Sequence, residues 1–233
     1  MTLVLTAENT NRLALVRPMF GDDVAVAVTN PLDAPPPPFA AELACLSPNA
    51  VDKRRQEFAA GRAAAHAAMT DLGWPAHPIL VGQKRAPIWP AGLTGSITHT
   101  RSCAMAVVAR CKDVQALGID VEEDQPLSDD LLPSICTDHE QAWLRLQANP
   151  GQLAKVIFSA KEAAYKCQYT LSQRFFGFGG MELDLDLTQG QFQASFTADQ
   201  PPFLRGSTID GRFAIGAGVI VTTAELRNNE IPG

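Results

Sequence analysis

The chain has 233 residues, enough to bury a sizeable core as one domain or two small ones. Hydrophobic residues make up 46% of it and charged residues 19%, a globular balance. Its formal net charge of −6 excludes a general nucleic-acid binder, which needs a basic face for the phosphate backbone. Lys53, Arg54, Arg55 and Arg62 nevertheless gather enough positive charge on one segment for a local anion site. The five cysteines, Cys45, Cys103, Cys111, Cys136 and Cys167, are odd in number and contain no Cys-x-x-Cys, so neither a disulfide framework nor a zinc site is expected and a reducing compartment is.

Met1 to Leu5 lacks the basic and apolar regions of a signal peptide. The longest apolar run, Phe213 to Val221, is broken by two glycines and falls short of the roughly 20 residues that span a bilayer. A cytoplasmic protein with no membrane contact is expected. After a polar, partly irregular N-terminus, Val24 to Val28 reads as the first strand, and Pro35 to Pro38 enforces a loop. Ser47 is a natural N-cap with Pro48 behind it, and Leu72-Gly73 a natural stop, which predicts an alanine-rich helix between them. Arg55 and Arg62 share one side of that helix, with Lys53 and Arg54 beside them, as a solvated basic face or an anion site.

Ile79 to Val81 reads as a short strand and Gly82 to Pro90 as a loop carrying Lys84 and Arg85. Ser96 to His99 and Cys103 to Val108 read as two further strands. Val114 to Val121 is an apolar run that reads as a buried strand ending in Gly118-Ile119-Asp120-Val121-Glu122. The two-residue period puts Asp120 and Glu122 on one face, where their repulsion invites a cation such as Mg²⁺. The alternative is a strand that surfaces with two solvated acids.

Thr137-Asp138-His139-Glu140 is a capping box opening a helix to about Gln147. After Asn149-Pro150-Gly151 a second long helix places Leu153, Val156, Ile157, Ala160, Ala163, Ala164 and Cys167 on an apolar face, and Lys155, Ser159, Glu162 and Lys166 on another. Leu183, Leu185 and Leu187 alternate with acids, Gln189-Gly190 turns the chain into Gln191 to Thr197, and Phe213 to Thr222 reads as a closing core strand. Each half runs strand, connection, long helix, strands, with no residue-level repeat evident. His66, His77 and His139 read as ordinary surface or core histidines. Phe175, Phe176 and Phe178 either fold back onto the core or form an apolar patch for a partner.

Gly118-Ile119-Asp120-Val121-Glu122 and Phe158-Ser159-Ala160-Lys161-Glu162-Ala163-Ala164-Tyr165-Lys166, in that order and with Lys161 lying 39 positions after Glu122, resemble the paired signatures of the 4′-phosphopantetheinyl transferase superfamily. Arg54-Arg55-Gln56-Glu57-Phe58 with Arg62, Lys84 to Pro90, and Gly95-Ser96-Ile97-Thr98-His99 extend the resemblance over Val51 to Phe178. They resemble the branch that activates siderophore, peptide and polyketide synthases, the enterobactin and surfactin type. The resemblance implies an α+β pseudo-dimer of two similar subdomains, each a long helix on a small, mainly antiparallel sheet. Residues 1–115 would form one and 116–233 the other, with the active site at their interface.

The implied enzyme transfers the 4′-phosphopantetheine arm of coenzyme A to a serine hydroxyl of an apo carrier protein and releases 3′,5′-ADP. Asp120, Glu122 and Glu162 would hold Mg²⁺, or Mn²⁺ in its place, with Glu162 also the base. Lys166 would contact the transferred phosphate and Lys161 the pyrophosphate at the rim. Arg54, Arg62, Lys84 and His99 would take the 3′-phosphate and adenine side of coenzyme A, helped by Ser96 and Thr98. Relatives of the surfactin type carry Gly-Lys-Pro where this chain has Gly82-Gln83-Lys84-Arg85-Ala86-Pro87, so Arg85 is a second candidate there. Val121 supplies no third carboxylate on the strand. The implied partners are carrier domains of peptide, siderophore or polyketide synthases, served by a monomer. A non-catalytic coenzyme A-binding protein or a Mg²⁺-dependent phosphohydrolase are the competing readings.

Overall fold

A computed structural model describes residues 6–228; Met1 to Leu5, read above as no signal peptide, lies outside the described residues. The chain divides into two compact units, Met1–Gln115 and Ala116–Gly233.

The first unit opens with a helix, α1 (Ala7–Val16), where an irregular segment was expected. Its polar sequence hides the signal, because the positions it buries are Asn9, Arg12 and Val16. The Thr6 hydroxyl caps it by accepting from the Asn9 N–H, and buried Arg12 donates to the Ser102 carbonyl at 2.7 Å. Strand β1 (Val24–Thr29) follows, and beyond the proline loop a single turn, α2 (Ala40–Leu43), which the sequence reading lacked. The long helix α3 (Asp52–Asp71) begins after Val51 rather than at Ser47. Ser47 caps a separate turn instead, accepting from the Asn49 N–H, and Arg55 fastens that turn through the carbonyls of Pro48 and Ala50.

Gly73 ends α3 at φ +74°, a left-handed position that suits glycine. A small hairpin of β2 (Leu80–Val81) and β3 (Pro87–Ile88) carries Lys84 and Arg85 at its tip. Strands β4 (Leu93–His99) and β5 (Ala104–Arg110) complete an antiparallel sheet of order β1-β5-β4. Ala64, Ala65, Ala68 and Met69 of α3 bury themselves against Ala27, Leu93, Ala106 and Val108 of that sheet.

Strand β6 (Val114–Glu123) leads into the second unit, and two short helices follow, α4 (Leu132–Ile135) and α5 (Asp138–Leu144), the latter with the expected capping box between Thr137 and Glu140. The helix α6 (Pro150–Ser172) carries the second motif. The remaining strands are β7 (Met181–Asp186), β8 (Gln191–Phe196), β9 (Thr208–Gly216) and β10 (Val219–Arg227), in the order β6-β10-β9-β8-β7. Phe213 to Thr222 is therefore a hairpin, not one strand, and Phe213 pairs opposite Thr222. Ala217 and Gly218 both have positive φ, the two-residue turn that matches strand twist.

Each unit is thus a long helix on a mainly antiparallel sheet, an α+β fold. The two long helices share a short pattern of packing residues. Phe58-Ala59-Ala60-Gly61-Arg62-Ala63-Ala64-Ala65-His66 and Phe158-Ser159-Ala160-Lys161-Glu162-Ala163-Ala164-Tyr165-Lys166 match at Phe and at three alanines, all three of which are buried in both units. The matches are packing residues; the polar positions have diverged.

Candidate active site

The second unit's site starts from Gly118. A Cβ there would lie 1.9 Å from the Ala163 carbonyl oxygen, so only glycine lets β6 press its backbone against α6. Two residues on, Asp120 is carried beneath the helix, 5% exposed. Its Oδ2 accepts from the Ser159 hydroxyl at 2.8 Å and its Oδ1 from the Lys166 ammonium at 2.6 Å. Lys166 also donates to the Ile119 carbonyl. Ser159, fully buried, shares a 2.9 Å hydrogen bond with Thr222 of β10.

Glu122 faces the Lys155 ammonium at 3.2 Å. Its carboxyl is nonetheless pushed above the usual range, first by burial and then by the charge of Asp120, with Lys155 opposing. Glu162, half-buried, is raised in the same way: burial leads, Lys166 opposes, and Asp120 and Glu122 add to the rise. Both carboxyls are thus raised by burial first and by neighbouring acidic charge after it, with a lysine opposing each.

Among the described residues no three Asp, Glu, His or Cys side chains form a ready-made metal cage. The donor chemistry still fits a divalent cation, because hard carboxylate oxygens in mutual repulsion are what Mg²⁺ relieves. The residues that would hold it are Asp120, Glu122 and Glu162.

Lys161 does not sit at a rim. It is 2% exposed, and its ammonium donates to the Ile135 carbonyl at 2.8 Å, Glu140 at 2.7 Å and the Phe178 carbonyl at 3.1 Å. An ammonium has three N–H donors, and protein acceptors take all three. A pocket of about 150 Å³ is lined by Lys161 and Glu162 together with Tyr165, Phe175, Phe176, Phe178 and Met181. Burial, ahead of the charges of Tyr169 and Glu162, pushes the Tyr165 phenol up to about 12. Of the three loop aromatics only Phe175 is well exposed, at 67%. Phe176 packs edge-on against Tyr165 and Phe196, and Phe178 lies 5.5 Å from Phe158, so both fold back.

In the first unit Arg54 and His99 come together, Nη1 to Nε2 at 3.3 Å, with Glu57 3.9 Å from the His99 ring. Lys84 and Arg85 are exposed at the hairpin tip, both at positive φ. Ser96 and Thr98 are buried in β4. Arg62 is 6% exposed, with its guanidinium 4.5 Å over the Phe58 ring and its Nε 3.7 Å from Glu42. Glu42 also takes up His66 at 2.9 Å, so His66 is a partner of a buried acid rather than an ordinary histidine.

Ser159, Thr222, Glu42 and Glu140 escaped the sequence reading as site residues. Ser159 lay inside a motif, and Glu140 inside a recognised capping box; Thr222 and Glu42 carried no signal.

The two units correspond to the two parts of one class of enzyme. A family described as 4′-phosphopantetheinyl transferase N-terminal domain matches residues 41–109, and one described as 4′-phosphopantetheinyl transferase superfamily matches residues 116–218. The chain is 38% identical over 200 residues to the 4′-phosphopantetheinyl transferase Svp of Streptomyces mobaraensis, covering 82% of this chain and 80% of that one. It is 33% identical over 196 residues to the 4′-phosphopantetheinyl transferase PptT of Mycobacterium tuberculosis, covering 79% and 85% respectively. Over 117 residues, 49% of this chain and 48% of the other, it is 43% identical to enterobactin synthase component D of Salmonella typhi. The chain belongs to the 4′-phosphopantetheinyl transferase superfamily and is an enzyme that transfers the phosphopantetheinyl group.

Proposed function

We propose that the protein transfers the 4′-phosphopantetheine arm of coenzyme A to a serine hydroxyl of an apo carrier domain from a peptide, siderophore or polyketide synthase. The serine oxygen attacks the β-phosphorus, the bond from that phosphorus to the bridging oxygen breaks, and 3′,5′-ADP leaves with the electron pair. Glu162 accepts the serine proton; a carboxylate whose affinity for protons is raised by burial is suited to this. Lys166, already drawn to Asp120, supplies positive charge for the transferred phosphate. Arg54, His99, Lys84 and Arg85 of the first unit hold the 3′-phosphate and adenine side. Bound Mg²⁺ would neutralise pyrophosphate charge, with Asp120, Glu122 and Glu162 as its ligands.

The observation that carries this reading is Asp120, buried beneath α6 and held by Lys166 at 2.6 Å and Ser159 at 2.8 Å, with Glu162 four residues before that lysine on the same helix. Phosphoryl transfer is largely positioning and charge stabilisation, and this arrangement supplies both. No helix among the described residues is long and apolar enough to cross a membrane, and the five cysteines are free thiols.

The test is to incubate the protein with coenzyme A, Mg²⁺ and an apo carrier domain, and to read the carrier by mass spectrometry. A carrier heavier by one phosphopantetheine, with equimolar 3′,5′-ADP and no product in EDTA, is expected. Hydrolysis of coenzyme A with an unmodified carrier would instead identify a phosphohydrolase, and binding without turnover a coenzyme A-binding protein.

A further inference from the structure

Lys161 stands next to Glu162 in the motif helix, yet its ammonium is taken up by a closed set of protein acceptors. Glu140 is the centre of that set. It is 2% exposed; its Oε1 accepts from the Leu183 N–H at 2.8 Å, and its Oε2 from the Thr137 N–H at 2.7 Å and from Lys161 at 2.7 Å. One carboxylate thereby ties the start of α5, the strand β7 and the middle of α6. Lys161 extends the network to the carbonyl of Ile135 at the end of α4 and to the Phe178 carbonyl in the pocket wall.

The first unit contains the same device. Glu42, fully buried, accepts from the Phe39 N–H that precedes α2 at 2.8 Å and from the Ile79 N–H at the entry to β2 at 2.8 Å. It meets the long helix through His66 at 2.9 Å and Arg62 at 3.7 Å. In both units a buried glutamate on a short helix joins the N–H of the residue that precedes the helix, an N–H in or just before a strand, and a basic side chain of the long helix. The long-helix partner differs, Arg62 and His66 in one unit and Lys161 in the other, and position 61 is glycine. A buried glutamate that ties a short helix to the long helix in both units is a device of the fold.

We infer that the motif lysine Lys161 is not a pyrophosphate ligand but, with Glu140, a buried latch that fixes α6 and the Phe178 wall of the pocket and so positions Glu162. The inference rests on the proposed role of Glu162 in transfer.

Breaking one partner of a buried pair leaves an uncompensated charge, whereas removing both does not. Lys161→Met and Glu140→Gln are therefore expected to lower Tm by a similar amount, on the order of 10 °C, and the double variant to recover at least half of that loss. Transfer is expected to follow the same order. Both single variants lose roughly tenfold or more in kcat, and the double variant regains activity. Inorganic pyrophosphate, used as a competitor of coenzyme A, should bind Lys161→Met within twofold of wild type.

A direct phosphate contact makes opposite demands: pyrophosphate binding lost in Lys161→Met, retained in Glu140→Gln, and a double variant no better than Lys161→Met. That pattern overturns the inference. Where a single variant is too unstable to assay, melting of Glu140→Gln against the double variant decides the coupling. The melting comparison needs no turnover, and wild-type carrier modification is read separately, so failure of the latch and failure of the proposed reaction are told apart.

Discussion

The Lys166 ammonium stands 2.6 Å from Oδ1 of Asp120, across the line where α6 crosses β6. Four residues earlier on the same helix, Glu162 is raised by burial and by the charges of Asp120 and Glu122, with Lys166 opposing that rise. One lysine therefore neutralises a buried acid and tempers the proton affinity of the candidate base.

Glu162→Gln keeps the size and polarity of the side chain but cannot take a proton. Transfer to the carrier is expected to fall by roughly 10²–10⁴, the typical worth of a general base, while coenzyme A still binds. Single-turnover rates alongside calorimetric titration of coenzyme A check this. Turnover within a few-fold of wild type would remove Glu162 from the role of base.

Ser159→Ala removes the hydroxyl that donates to Asp120 and leaves Thr222 without its partner. A hydrogen bond to a charged group is worth about 1.5–3 kcal/mol, so a stability loss of that order is expected by denaturant melting. Metal affinity, measured by Mn²⁺ titration of the unliganded protein, should weaken as Asp120 loses its fixed orientation. Ser159→Thr, which retains the hydroxyl, should stay closer to wild type in both.

Gly118→Ala forces a Cβ into the Ala163 carbonyl. Overpacking of this kind costs about 1–3 kcal/mol, and here the strain is backbone against backbone, so the upper part of that range is expected. Thermal melting gives the cost. A variant with unchanged Tm and unchanged transfer would show that the close approach of β6 to α6 is dispensable.

Dephospho-coenzyme A should bind wild type at least tenfold more weakly than coenzyme A, since charge-assisted hydrogen bonds contribute about 1.5–3 kcal/mol each. Arg54→Ala and His99→Ala should erase much of that preference. Arg62→Ala is the wrong probe, because Arg62 is buried against Phe58 and Glu42 and its loss would disturb the fold. Equal binding of both ligands by wild type would make these cations a solvated face.

Glu42 gives an acid-stability prediction. Burial would raise its carboxyl, but hydrogen bonds from His66, Ile79 and Phe39 and the charge of His66 outweigh burial and leave it below the usual range. A depressed folded value stabilises the protein above the ordinary carboxylate value of about 4.3 and is lost as pH falls from there through the lowered value. Glu42→Gln should be less stable at neutral pH and change less with pH across that window. Melting curves from roughly pH 7 down to pH 3 would show the difference, and parallel curves would contradict it.

How much of this was legible in the chain depends on the range over which each signal acts. Local chemistry declared itself: the Thr137 and Glu140 capping box, the stop at Gly73 and the two-residue period that puts Asp120 and Glu122 on one face all act within a few residues. The paired motifs fixed the family for the same reason, since each is a contiguous run on one strand or one helix. Where a polar face conceals burial, as in α1 with Arg12, or a tight turn splits an apolar run, as at Ala217-Gly218, pattern alone misled.

The tertiary structure alone decided which side chains meet. Thr222 reaches Ser159 because β10 lies beside β6 beneath α6, and Glu140 reaches Lys161 and Leu183 across separations of 21 and 43 residues. The lysine in the motif reads as a surface cation in sequence and is a buried one in the fold. A side chain's charge is set by its own chemistry, but its exposure and its partners are set by packing from distant segments, which no local pattern records.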